Sequence, residues 1–119
     1  MMKEIEINGE IYILKSSANE QTDTLDGMKF CMIRTYSAGV FAGYVKSRNG
    51  KEIELINAIR IWRWRGANSL SQLAMEGTKE PDECKFAVPV NNIILTEVIE
   101  IIEITQLGQN SIQGVKPWA

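Results

Sequence analysis

Two Asn-Gly dipeptides, Asn8-Gly9 and Asn49-Gly50, each lie beside runs in which apolar and polar residues alternate. Residues 3–15 read Lys-Glu-Ile-Glu-Ile-Asn-Gly-Glu-Ile-Tyr-Ile-Leu-Lys, and residues 51–57 set Glu52 and Glu54 against Ile53 and Leu55. Alternation of this kind gives an extended strand one face for a core and one for water. Asn-Gly supplies the positive φ angles of a tight hairpin turn. Such punctuation commits the chain to antiparallel sheet.

Residues 29–34 predict a buried strand and residues 41–46 a second, with turns at 37–39 and 48–50. Residues 29–65 then form a three- or four-stranded meander. Leu70, Leu73 and Ala74 recur at helical spacing over 69–76, with Asn68 or Ser69 as cap and Gly77 as stop. A charged loop over 78–83, broken by Pro81, leads to a short strand over 85–90 that Pro89 ends or bends. Asn91-Asn92 reads as a turn. Residues 93–105 carry β-branched residues that suit a helix face or a strand, and strand is the expectation. A second short helix is expected over 105–113, capped by Thr105, anchored by Leu107 and Ile112 and stopped by Gly114. The fold class expected is α+β: a mostly antiparallel sheet, meander or Greek-key-like, with an N-terminal β-hairpin and one or two short helices. Its 119 residues suit a single domain, with 3–15 as an appendage and 29–118 as the core.

Composition narrows the function. Net charge is −2, which argues against general nucleic-acid binding, since affinity for a phosphate backbone needs excess Lys and Arg. Histidine is absent, removing the commonest general base, nucleophile partner and metal ligand. No pair of carboxylates stands out by placement, so an enzyme is disfavoured, and no cofactor or metal site is expected. Cys31 and Cys84 lack metal spacing and read as small buried hydrophobes of a reducing compartment. Met1-Met2-Lys3-Glu4 runs into alternating charge rather than a signal peptide, and no apolar run is long enough to span a membrane.

The segment Arg60-Ile61-Trp62-Arg63-Trp64-Arg65 concentrates three of the five arginines and two of the three tryptophans. As a strand it would put Arg60, Trp62 and Trp64 on one face, and Ile61, Arg63 and Arg65 on the other. Guanidinium forks grip phosphate or carboxylate, and indole faces stack on flat rings. That pairing suits a planar anion such as a nucleotide. The competing reading is a core tryptophan ladder on a strand fringed by arginine. The small-residue turn with Thr35, Tyr36, Ser37 and Gly39, beside Arg34, is a second candidate, as a phosphate nest or as a corner that satisfies its own backbone. Asn68 and Ser69 at a helix start offer free N–H groups to an anion or are simply caps. Asn92 would read an adenine edge or sit in a plain turn. The candidate ligand-binding residues are therefore Arg34, Tyr36, Ser37, Arg60, Trp62, Arg63, Trp64, Arg65, Asn68, Ser69 and Asn92, with Trp62 or Trp64 stacking the base.

The run Arg34-Thr35-Tyr36-Ser37-Ala38-Gly39-Val40-Phe41-Ala42-Gly43, with Asn57-Ala58, Gly66-Ala67-Asn68-Ser69-Leu70-Ser71-Gln72-Leu73-Ala74, Cys84-Lys85-Phe86 and Leu95-Thr96-Glu97-Val98-Ile99-Glu100-Ile101-Ile102, resembles a family of small phage proteins, the first-described type of Thoeris anti-defence protein. The resemblance spans roughly residues 30–118, and the hairpin at 3–15 is extra to it. It implies a protein that sequesters immune signals without degrading them. Those signals would be cyclic ADP-ribose isomers made by bacterial TIR-domain proteins and, in some members, cyclic oligonucleotides. It also implies a homo-oligomer built from dimers, with pockets near subunit boundaries, acting in the cytoplasm of the infected host without nucleic-acid or membrane partners. The alternative is a phage interaction module that grips a host protein through its Trp/Arg surface.

Overall fold

β1 (Phe30–Thr35), β2 (Val40–Asn49) and β3 (Glu52–Arg63) follow one another as the expected antiparallel meander, Arg34 facing Val40 and Asn49 facing Glu52. The computed structural model describes residues 25–118, so the hairpin expected at 3–15 lies outside it. Gly50, with φ +61, makes the tight turn between β2 and β3.

The chain then enters α1 (Leu70–Glu76), a single 3-10 turn (Pro81–Glu83), β4 (Lys85–Phe86), β5 (Val90–Leu95), β6 (Val98–Glu103) and α2 (Gln106–Gly114). The architecture is α+β, a six-stranded sheet in which every pairing is antiparallel. β6 borders β1, while β4 and β5 lie end to end along β3: Phe86 faces Ile61 and Leu95 faces Ile53. Between β5 and β6 stand only Thr96 and Glu97, and the Val98 N–H donates to the Lys51 carbonyl at 3.0 Å. The sheet therefore curls until its two borders meet at that corner.

Curling gives the sheet two cores. Cys31, Ile33, Phe41, Ile53, Leu55, Leu95 and Val98 fill the inner one. Phe30, Met32, Ile59, Ile61 and Phe86 point the other way, against Leu73 and Ala74 of α1 and Ile112 of α2. β1 is thus apolar on both faces, which is why its sequence shows no alternation. Burying each large apolar side chain contributes about 1.5–3 kcal/mol. The helices dock by capping as well as by packing: the Thr105 hydroxyl donates to the Met75 carbonyl at 2.6 Å and accepts from the Gly108 N–H at 3.0 Å.

Four local expectations change. Asn91 and Asn92 lie inside β5 rather than in a turn, because β3 continues far enough to pair with them. Residues 93–105 are not one strand; the Thr96-Glu97 corner breaks them so that β6 can reach β1. Leu107 is 61% exposed and anchors nothing, while Ile112 is buried as expected. Gly114 ends α2 from inside, and Val115 caps it at φ −70, so no left-handed stop is used.

Candidate functional site

A bulge decides which way the Arg/Trp segment faces. Asn57 adopts φ +51 and shifts the register between β2 and β3. Ile53 and Leu55 face the inner core; after the bulge Ala58 faces it, and Ile59 and Ile61 turn to the helices. Arg60 and Trp62 follow Ala58 onto the inner-core side of the sheet. There the neighbouring strand is broken. Ala87, Val88 and Pro89 separate β4 from β5, held to β3 by the Ala87 N–H donating to the Arg60 carbonyl at 2.9 Å. The gap opens a cleft of about 180 Å³ lined by Phe41, Ala58, Arg60, Trp62, Ala87, Val88, Val90 and Ile93.

Arg60 is the polar centre of that apolar cleft. Its guanidinium carbon stands 4.7 Å from the Phe41 ring centre and 5.9 Å from that of Trp62. Its Nε is buried and has no hydrogen-bond partner among the described residues. An unpaired buried N–H costs about 1–3 kcal/mol, so the free protein carries an unmet demand for an acceptor. Three cations elsewhere on the protein are matched: Lys29 with Glu103 at 3.3 Å, Arg34 with Glu100 at 3.0 Å, Lys46 with Glu54 at 3.7 Å. Among the described residues no carboxylate pairs with Arg60, Arg63 or Arg65. The indole of Trp62 is 60% exposed and free to stack.

The other candidates do not converge on this cleft. Trp64 lies past the end of β3 and packs against the helix-side core, so the face expected to carry Arg60, Trp62 and Trp64 holds only the first two. Arg63 and Arg65 are exposed outside the cleft. The Arg34 guanidinium is committed to Glu100. In the turn after β1, the Thr35 hydroxyl donates to the Gly39 carbonyl at 2.7 Å, the Tyr36 N–H to the Glu97 carbonyl, and the Ser37 hydroxyl to the Glu97 carboxylate at 2.5 Å. Donors spent on an acid do not make a phosphate nest; Tyr36, 80% exposed, stands clear of them. The start of α1 is equally occupied. The Ser69 hydroxyl accepts from the Gln72 N–H at 3.0 Å, and the Gln72 side-chain carbonyl accepts from the Asn68 N–H at 2.8 Å. Ser69 therefore caps the helix, and the Asn68 N–H is taken up by Gln72. Asn92 donates to Glu54 at 2.7 Å, and that hydrogen bond, helped by Lys46, holds the Glu54 carboxyl below its ordinary value.

Phe41, Val88, Val90 and Ile93 complete the cleft and carried no chemical signal in the sequence. Pro89 alone marked where the strand would open. Among the described residues no group of three or more His, Cys, Asp or Glu could hold a metal.

The family model described as Domain of unknown function (DUF6948) matches residues 28–112, from just before β1 to within α2. The chain belongs to that family. No curated protein and no solved structure matches it. The whole lining of the cleft falls within the DUF6948 domain, and residues 3–15 fall before it.

Proposed function

We propose that this DUF6948 protein binds and sequesters a small planar anion of the cyclic nucleotide class, a cyclic ADP-ribose isomer or a cyclic oligonucleotide, without degrading it. The observation that carries the reading is Arg60: a guanidinium with no counter-ion and an unpaired Nε among the described residues, between Phe41 and an exposed Trp62 in an otherwise apolar cleft. The cyclic nature of the ligand, and the cytoplasm of an infected bacterium as the place of action, rest on the resemblance to Thoeris anti-defence proteins.

Magnitudes bear on assembly. A sequestering protein needs roughly nanomolar affinity, about −12 kcal/mol. One charge-assisted contact supplies about 1.5–3 kcal/mol and one stacked ring about 1–3, before the cost of association. Ligand pockets commonly enclose about 300–1,000 Å³, and this cleft holds about 180 Å³. A second copy closing over the cleft is the simplest source of the missing walls, so a homodimer or an assembly of dimers belongs to this reading. Isothermal titration of the purified protein with a panel of cyclic ADP-ribose isomers and cyclic dinucleotides tests it, with ligand recovered chemically intact after heat denaturation. A panel without heat would remove the sequestering role.

A second reading is favoured by the cleft's border. Trp62, Val88 and Val90 are 60%, 60% and 45% exposed, an apolar row of the kind found at protein interfaces. A stoichiometric host-protein complex, lost in Trp62→Ala and indifferent to nucleotides, would support an interaction module instead.

A further inference from the structure

The cleft has room and charge for only part of a nucleotide signal. We infer that its minimal ligand is one planar ring carrying one phosphate, a mononucleotide unit, and that the remainder of any larger molecule lies outside it. This rests on the nucleotide reading above and narrows it to a unit that one chain can recognise alone.

Three observations carry the inference. The cleft's 180 Å³ falls well short of a drug-sized pocket. Among the described residues its lining holds a single cation, Arg60, with Arg63 and Arg65 outside it. A guanidinium fork matches two oxygens of one phosphate. The remaining walls are apolar, the aromatic Phe41 and Trp62 among them, and the Ala87 N–H is already committed to the Arg60 carbonyl. A second phosphate buried among them would lose its hydration without a partner. The exposed Trp62 indole and the aliphatic wall of Val88 and Val90 leave a slot for one flat ring beside that phosphate.

The test is a titration of the full chain with adenosine 5′-monophosphate, adenosine 5′-diphosphate, adenosine and inorganic phosphate, read by tryptophan fluorescence and calorimetry. The monophosphate should saturate and compete with a cyclic nucleotide; adenosine and phosphate should each bind at least about tenfold more weakly. The diphosphate should bind within about threefold of the monophosphate. Trp62→Phe should abolish the fluorescence change while keeping the heat, and Arg60→Gln should abolish both. Diphosphate binding tenfold tighter than monophosphate, or monophosphate binding unaffected by Arg60→Gln, would overturn the inference. A cyclic nucleotide that binds while the monophosphate neither binds nor competes would overturn it too, leaving the sequestering role intact. Silence toward every nucleotide would remove both.

Discussion

At the scale of single residues, Arg60 sets function against stability. Arg60→Met keeps an apolar stem of similar length and removes the unpaired Nε, a group that costs about 1–3 kcal/mol. Urea unfolding should show Arg60→Met as stable as the parent or more so, while nucleotide affinity falls about 10- to 150-fold through loss of one charge-assisted contact. A clear fall in stability would mean that the guanidinium is structural. Glu54 offers a separate check on the sheet's border. Its carboxyl lies below the ordinary value of 4.5, first through the hydrogen bond from Asn92 and then through Lys46. A depressed folded pKa contributes stability above the unfolded value and loses it as pH falls through the folded one. Asn92→Ala should raise the Glu54 titration midpoint seen by carboxyl NMR toward that ordinary value. An unmoved midpoint would show the Asn92 amide to be uninvolved.

Elements are positioned here by contacts that propensity scales penalise. Gly108 interrupts α2, and alanine there would be worth about 1 kcal/mol in an isolated helix. In the fold a Cβ at 108 would run into the Ala74 carbonyl of α1 and approach the Ile104 side chain at 3.1 Å. Gly108→Ala should therefore destabilise the protein by about 1–3 kcal/mol through overpacking, and a stabilised variant in thermal melts would contradict the close helix–helix contact. Asn57 plays the corresponding part in β3. Its φ of +51 suits Gly or Asn and costs about 1–2 kcal/mol for other residues. Asn57→Gly should be near neutral in stability, while Asn57→Val should lose about that amount and weaken ligand binding as well, since the bulge aims Arg60 and Trp62. Equal binding by both variants would separate the bulge from the site.

Across the whole molecule, the curled sheet makes a closed interior that reports global opening. Cys31, in that inner core, has its thiol pushed up to about 11, by burial first and by Glu103 second, with Lys29 opposing. In a Cys84→Ser background its reaction with a thiol reagent should follow global unfolding along a urea series; faster labelling under native conditions would reveal a local opening of the inner core. The sequence by itself determined β1 to β3 and both helices, but not the corner that divides β5 from β6. Alternation and Asn49-Gly50 set the β2–β3 hairpin, Ser69 and Thr105 set the helix starts, and Leu73, Ala74 and Ile112 marked the helices for burial. Crowding of indole and guanidinium groups singled out residues 60–65. Tertiary structure alone decided which of those side chains share a surface. Period-two reasoning assumes an uninterrupted strand, whereas Asn57 resets the alternation and β3 ends before Trp64. The cleft needed Pro89 and its neighbours, far along the chain, to fall beside Arg60 and leave β3 uncovered. The binding hydroxyl expected at Ser37 was consumed for the same reason. Backbone and acid groups that local sequence cannot place came within hydrogen-bond reach first, and an acceptor or donor once satisfied is withdrawn from ligand chemistry.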